Sequence, residues 1–130
     1  MVDLDTVMPG YVHYDFGDGI RTFTNTGGED SRDLDQVSMD MVRYRAFATG
    51  FVEGMGDLLL PAERESLHFA GILFPFIMGV RFLTDYLDGD LYFKIAHKDH
   101  NLVRARAQFR LAQDGSGKLE DARRIIRELN

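Results

Sequence analysis

The chain has 130 residues, of which 45% are hydrophobic and 28% are charged, a composition that allows one folded domain with a sizeable core. Its formal net charge of −6 argues against a broad nucleic-acid-binding surface, because such surfaces need clustered Lys and Arg. The absence of cysteine excludes disulfides and thiolate chemistry. No secretory signal is seen at the acidic amino end, so we expect a cytoplasmic protein with neither a nucleic-acid nor a membrane partner.

The chain divides into two parts of different composition. Residues 1–32 are rich in Gly, Asp and Thr and predict short strands, at Met1–Asp5 and at Tyr11–Tyr14, followed by a loop over Thr22–Arg32. Residues 33–130 predict helices. We therefore expect a single, mainly α-helical domain with a small β element at its amino end.

The first predicted helix starts at Leu34, with Asp33 and Asp35 at the end where carboxylates suit the helix dipole. Its apolar residues recur at steps of three and four, which is the spacing of one helical face: Leu34, Val37, Met41, Tyr44, Ala48 and Phe51. Gly54 and Gly56 are expected to end it.

The second predicted helix runs from Pro61 to about Leu87 and is closed by Asp88-Gly89-Asp90. Its longest uncharged run, Ser66 to Val80, is shorter than the roughly 20 apolar residues of a membrane span. Since the helix is apolar nearly all round, it is expected to be surrounded by protein. Pro75 is expected to kink it.

After a short connector, Leu91–Ile95, a third helix is predicted to start near Asp99 or Asn101. Its apolar positions share one seven-residue register with those of the last segment: Ala105, Ala112, Leu119 and Ile126. Gly115-Ser116-Gly117 lies between the two and weakens a helix by roughly 1 kcal/mol per Gly. The shared register slightly favours one helix from Asn101 to Leu129, and a break at Gly115 is the alternative.

Asp3 and Asp5 are the first candidates for chemistry. Two carboxylates placed two residues apart on a strand point to the same face. Mg²⁺ prefers carboxylate oxygens together with water and substrate phosphate, so the pair could hold the metal of a phosphoryl-transfer site. An acidic strand that faces water is the alternative interpretation.

Three strings together resemble one family. Val2-Asp3-Leu4-Asp5-Thr6-Val7-Met8-Pro9-Gly10, His13-Tyr14-Asp15-Phe16-Gly17-Asp18 and Arg81-Phe82-Leu83-Thr84-Asp85-Tyr86-Leu87 are similar to the N-acetylhexosamine 1-kinase-like branch of the aminoglycoside phosphotransferase and choline kinase superfamily. The similarity extends from Val2 to about Leu111. It implies that the chain corresponds to the helical carboxyl-terminal lobe of a kinase-like fold.

The resemblance also implies roles for individual residues. Asp3 of the Asp-x-Asp strand would bind Mg²⁺ with Asp5 beside it, and Arg81 and Tyr92 would help to hold the sugar. The family transfers the γ-phosphate of ATP to the anomeric hydroxyl of an N-acetylhexosamine, mostly through positioning and charge neutralisation. Asp15 and Asp18 fall in a stretch that is interpreted as structural.

The chain also departs from the family. The family's catalytic base lies in a loop before the Asp-x-Asp strand, and this chain begins two residues before Asp3. Neither a Gly-rich phosphate loop nor a β-strand lysine is found. The sequence therefore predicts a truncated sugar phosphotransferase lobe that is inactive alone. The alternatives are a helical self-association module, forming a homo-oligomer, and one half of a split kinase that needs a separate amino-terminal lobe.

Other polar groups have plainer interpretations. Asp15-Phe16-Gly17 spells the protein-kinase metal tripeptide, but no His-Arg-Asp loop precedes it. His97 and His100 are expected to lie in a solvated turn. Outside the family context, Arg81 is expected to snorkel or to pair with Asp85 one turn later. A solvated face is expected for the remaining row of arginines: Arg104, Arg106 and Arg110.

Overall fold

The computed structural model describes residues 7–130, so Asp3, Asp5 and the predicted Met1–Asp5 strand lie outside the described residues. Those residues form five α-helices: α1 (Val12–Thr24), α2 (Met41–Met55), α3 (Pro61–Asp88), α4 (His100–Gly117) and α5 (Leu119–Glu128). Two short 3₁₀ turns, Leu34–Gln36 and Gly56–Leu58, precede α2 and α3. Between residues 7 and 130 there is no strand, and one isolated bridge pairs Asn25 with Met39. The prediction of a mainly α-helical fold is confirmed.

Helix α1 replaces the extended segment that was predicted at Tyr11–Tyr14. Phe16, Ile20 and Thr24 are spaced four residues apart, and all three are fully buried on one face of the helix. The Thr24 hydroxyl donates to the carbonyl of Ile20 at 2.7 Å. The prediction was wrong because a few aromatic residues with no clear period fit a strand as well as the first turn of a helix. The loop that was predicted to start at Thr22 therefore starts three residues later, at Asn25.

Helix α2 begins at Met41, seven residues after the predicted start. Leu34 belongs to the 3₁₀ turn, and Val37 is buried in an extended segment between that turn and the helix. The start is fixed by Asp40, whose carboxylate accepts the backbone N–H groups of Val42 and Arg43 at 2.9 and 3.1 Å. The helix ends before Gly56, which has φ of 49° and so adopts a conformation that suits glycine.

Helix α3 is the centre of the fold and has the predicted bounds. It packs against α1, α4 and α5, and it continues through the buried Pro75. Gly89, with φ of 96°, ends it in the left-handed conformation. Residues 7–130 nevertheless leave one face uncovered, and we call it the α3 stripe: Phe69, Leu73, Phe76, Val80 and Leu87. The prediction that protein surrounds this helix is therefore wrong for that face.

Within residues 7–130, α3 is also the one helix whose length and apolar composition would allow it to cross a membrane. In its most apolar stretch 44% of the residues are buried inside the fold. Long core helices meet the same criteria, so this is weak evidence for a membrane span.

Helix α4 continues through Gly115-Ser116-Gly117, and the chain leaves it at Lys118, where φ is −107° and ψ is 12°. The prediction of one helix over Asn101–Leu129 is therefore wrong. The alternative, a break, is correct in kind, but the break lies at Lys118 and not at Gly115. The Lys118 ammonium donates to the Asp114 carboxylate at 2.7 Å and to the Ser38 hydroxyl and the Met39 carbonyl, each at 2.8 Å. This anchor redirects the chain so that α5 packs against α2 and α3.

The main core lies where α1, α2, α5 and the second half of α4 meet the first half of α3. Its largest fully buried members include Tyr44, Phe16, Ile20, Leu67, Leu111 and Ile126. Burial raises the pKa of the Tyr44 phenol, which therefore stays neutral. A second, smaller cluster joins the end of α3 to α4 through Met78, Phe82 and Ala105, with Phe93 of the connector packed against it. This second cluster supports the candidate site.

Candidate functional site

The connector between α3 and α4 is held by one carboxylate, that of Asp85, which is 6% exposed. Its oxygens accept the backbone N–H of Tyr92 at 2.8 Å, the backbone N–H of Phe93 at 3.0 Å and the side-chain amide of Asn101 at 2.7 Å. Burial tends to raise the pKa of Asp85, but hydrogen bonds from Phe93, Tyr92, Leu91 and Asn101 hold it below its usual range. Asp85 is therefore a charged group whose acceptor capacity is used inside the protein.

The turn that leads from α3 into the connector is bonded to the same two residues, Asp85 and Asn101. After Gly89, Asp90 also has a positive φ, of 61°, and its N–H donates to the backbone carbonyl of Asp85 at 2.7 Å. The Asp90 carboxylate then accepts the Asn101 amide at 3.0 Å. Asn101 thus ties the turn and the helix end together, and it is fully buried.

Arg81 and Tyr92, the two residues predicted to hold the sugar, are brought together. The Arg81 guanidinium carbon lies 5.7 Å from the centre of the Tyr92 ring and 5.4 Å from that of Phe93, which are cation–π distances. The Phe93 ring is fixed in turn by Phe82, 4.7 Å away. The alternative pairing of Arg81 with Asp85 is wrong, because the Asp85 oxygens are already occupied by the connector.

These residues border an open pocket of about 350 Å³. Its wall includes Arg81, Thr84, Asp85, Asp88, Tyr92 and Phe93. The Tyr92 side chain is 74% exposed, so one face of its ring is free to contact a ligand. An aromatic face beside a guanidinium, a hydroxyl and a carboxylate suits a ligand with many hydroxyl groups and one apolar face.

The predicted metal ligands, Asp3 and Asp5, lie outside the described residues, and residues 7–130 hold no cluster of side chains that could bind a metal. The Asp15-Phe16-Gly17 tripeptide is part of α1: Phe16 is a core residue, and a Cβ on Gly17 would lie 2.7 Å from the carbonyl oxygen of Ala70. This close approach of α1 and α3 accounts for the glycine.

His100 is buried, so the prediction of a solvated turn is wrong for this residue. Its Nδ1 accepts the Ala96 N–H at 3.0 Å, its Nε2 lies 3.1 Å from the Asp30 carboxylate, and its ring stacks on His97. The hydrogen bond from His100 lowers the pKa of Asp30. The contact of His100 with Asp30 could not be predicted from helical periodicity, because the two residues are 70 positions apart.

Arg104 also departs from the predicted solvated face. Its guanidinium lies 5.5 Å from the centre of the Phe82 ring and donates to the Lys94 carbonyl at 3.0 Å, so it supports the connector from the side of α4. Arg110 reaches back to the Leu34 carbonyl at 3.4 Å, whereas Arg106 is exposed as predicted. Sequence reasoning thus missed Arg104, Asn101 and Asp85 as supports of the site, although an Asp on the apolar face of a helix is a signal in itself.

A scan of protein-family models gives no match to this chain.

Proposed function

We propose that the chain is part of the helical lobe of an ATP-dependent N-acetylhexosamine 1-phosphotransferase, and that the pocket beside Arg81 and Tyr92 holds the acceptor amino sugar. The observation that carries the proposal is the meeting of these two side chains at one pocket. The sequence resemblance assigns sugar binding to the same two residues.

The chemistry of the pocket fits a sugar. A pyranose ring presents an apolar C–H face, which can pack on the exposed ring of Tyr92, and a rim of hydroxyl groups. Arg81 can donate to those hydroxyls, and Asp88 can accept from them. Asp85 has its oxygens occupied by the connector, so it serves as a positioning residue for Tyr92.

The phosphoryl-transfer part of the proposal rests on the resemblance. Asp3 and Asp5 would hold Mg²⁺, with the phosphates of ATP completing its coordination. The catalytic loop and the nucleotide-binding lobe are not found among these 130 residues, so we propose that the chain alone does not catalyse transfer. An ATP-dependent role and the absence of cysteine both favour the cytoplasm.

Titration of the chain with N-acetylglucosamine, followed by NMR, tests the proposal. We expect saturable shifts confined to the connector, with a dissociation constant on the order of millimolar for a single open pocket. Tyr92→Ala and Arg81→Gln should abolish them. Leu91→Ala is the matched control, because Leu91 is 83% exposed, adjacent to Tyr92 and absent from the pocket wall. Unchanged shifts in Tyr92→Ala would refute the assignment.

A second candidate function is self-association, and the α3 stripe favours it. The exposed fractions of its side chains range from 43% at Val80 to 74% at Leu87. Together the five side chains expose on the order of 500 Å² of surface per copy. With the residues around them, a contact over the stripe would bury an area close to the roughly 800 Å² per partner of a specific interface. The occupant that we propose is a second copy of the chain, since two identical stripes can cover each other around a twofold axis.

A further inference from the structure

A second pocket lies at the opposite end of α3, between its first turns and α5. It has a volume of about 350 Å³ and shares no residue with the pocket beside Arg81 and Tyr92. Its wall includes Ala62, Glu65, Ser66, His68, Arg123 and Arg127. Phe69 of the α3 stripe also lies on this wall, and the pocket has no part in the proposed sugar site.

His68 is one of the residues that line this pocket, and its ring has an unused hydrogen-bond acceptor. The residue is 4% exposed, and its Nδ1 lies 2.9 Å from the Glu65 carbonyl, so Nδ1 bears the hydrogen and donates it. Nε2 then presents a lone pair, and it is buried with no partner among residues 7–130. Burial lowers the pKa of His68, and the nearby cations of Arg123 and Arg127 lower it further, so the neutral ring is favoured.

The two arginines of the wall supply positive charge. Arg123 pairs at 3.1 Å with Glu120, whose side chain is 79% exposed, and Arg127 forms no ion pair within residues 7–130. Glu65 is the carboxylate on the wall, and it forms no ion pair with either arginine. The Ser66 hydroxyl is already engaged, since it donates to the Ala62 carbonyl at 2.7 Å. What the pocket offers a ligand is therefore two guanidinium groups, one imidazole acceptor and the carboxylate of Glu65.

These groups select a ligand that is anionic and also carries an O–H. We propose that the pocket binds a phosphate group in its singly protonated form, with anionic oxygens on Arg123 and Arg127 and the P–OH donating to Nε2 of His68. A carboxylate or sulfate at neutral pH lacks that hydrogen and leaves the imidazole nitrogen unpaired, which is costly for a buried group. Guanidinium groups match phosphate oxygens in bidentate geometry.

The ligand can be inorganic phosphate or the phosphate of a phosphorylated small molecule, since the recognised chemistry is shared. The volume exceeds what a bare phosphate occupies, so there is room for a substituent. This inference goes beyond the proposed function and does not depend on it, because no residue is common to the two pockets.

Side-chain NMR of His68 and of the arginines tests the proposal directly. The 130-residue chain is titrated with phosphate at constant ionic strength and about pH 5.5, below the second pKa of about 6 for a phosphate monoester, so that the P–OH is present. We expect saturable shifts with a dissociation constant on the order of millimolar and at least roughly fivefold weaker binding of sulfate. Parallel titrations with glucose 1-phosphate and glucose separate the sources: preference for the ester identifies a phosphorylated small molecule, and preference for phosphate identifies the free ion.

Variants on α5 provide the matched comparison. Arg127→Gln should weaken phosphate binding roughly tenfold, and Arg123→Gln should weaken it several-fold. Arg124→Gln is the control, because Arg124 is paired with Asp121 and lies outside this pocket, so binding should be unchanged. Equal weakening in Arg124→Gln and Arg127→Gln would overturn the proposal, since it would mean general attraction to a charged helix. Equal binding of sulfate and phosphate by the unmodified chain, or unmoved His68 signals, would overturn it without any variant.

Discussion

The side-chain amide of Asn101 on α4 donates to the carboxylate of Asp85 on α3 at 2.7 Å. The same carboxylate accepts the N–H groups of Tyr92 and Phe93, so one buried charge fixes both the crossing of two helices and the position of the aromatic wall. The geometry of the candidate sugar pocket is therefore coupled to the stability of the fold.

Asp85→Asn tests this coupling. The substitution replaces one acceptor oxygen by an NH₂ group that faces other donors, so we expect the melting temperature to fall by about 5 °C. N-acetylglucosamine binding should weaken as well, because Tyr92 loses its anchor. Asp88→Asn, an exposed change one turn later on α3, should leave the melting temperature unaltered. Circular dichroism melts of both variants make the comparison, and equal stability would contradict the assigned role.

Asp114 makes stability depend on pH. Burial acts to raise the pKa of this carboxyl, but Lys118, the Met39 N–H and the Ser38 hydroxyl hold it below its ordinary value. A carboxyl whose pKa is lower in the folded state contributes stability above its unfolded value of about 3.9, and that contribution is lost as pH falls through the folded value. We expect the melting temperature to drop below about pH 4, and to drop less steeply in Asp114→Asn. Parallel slopes in the two proteins would contradict this.

The two glycines at the end of α4 should respond differently to alanine. A Cβ on Gly117 meets no atom within 4 Å, so Gly117→Ala should stabilise the protein by up to about 1 kcal/mol through helix propensity. A Cβ on Gly115 would lie 2.9 Å from the buried Met39 methyl group, so Gly115→Ala should gain less than Gly117→Ala or lose stability. Urea denaturation of both variants gives the ranking, and a larger gain for Gly115→Ala would be the contrary result.

Helices whose ends carry their own signals could be predicted from the sequence. Pro61 at the start of α3 and Gly89 after its end are local features, and both ends were predicted correctly. The anchor at Lys118 could not be predicted, because its partners Ser38 and Met39 lie on a distant segment of the chain. The burial of His100 and its hydrogen bond to Asp30 were missed for the same reason. Periodicity reports which face of a helix is apolar, but not which distant polar group meets it.

For the candidate site, the aromatic and basic residues were identified through the family resemblance, while their geometry was not. No pattern in the sequence distinguishes an Arg81 that pairs with Asp85 from one that lies over Tyr92. That choice depends on the connector taking the Asp85 oxygens first, which is a property of the folded chain.

Disrupting the α3 stripe should abolish self-association. Phe76 lies at the middle of the stripe and is 53% exposed, so Phe76→Glu places a charge in the proposed contact without burying it in the monomer. We expect a dimer or larger species for the unmodified chain and a monomer for this variant in sedimentation velocity. Val42→Glu is the control, because Val42 is 81% exposed on α2, away from the stripe. A monomeric unmodified chain at high concentration would rule out the second candidate function.

The 130-residue chain should not phosphorylate N-acetylglucosamine or N-acetylgalactosamine with ATP and Mg²⁺. Its proposed metal ligands, Asp3 and Asp5, are expected to bind Mg²⁺ with a dissociation constant on the order of millimolar, or about −4 kcal/mol, because ATP would normally complete the coordination. A coupled assay for ADP and titration calorimetry measure the two quantities. Turnover above background that Asp3→Ala removes, or micromolar Mg²⁺ affinity, would show that the chain holds a complete catalytic site.

The central position of α3 sets the order in which the protein can form during synthesis. Of the five helices, α1 is synthesised first, yet Gly17 and Ile20 reach their native neighbours on α3 only when Ala70 and Gly71 have been made. Helix α3 in turn cannot complete its packing until α4, its most extensive partner, has been synthesised. The nascent chain therefore carries a long apolar helix without its main partner until α4 has been made, which makes α3 the segment that a chaperone would have most reason to bind.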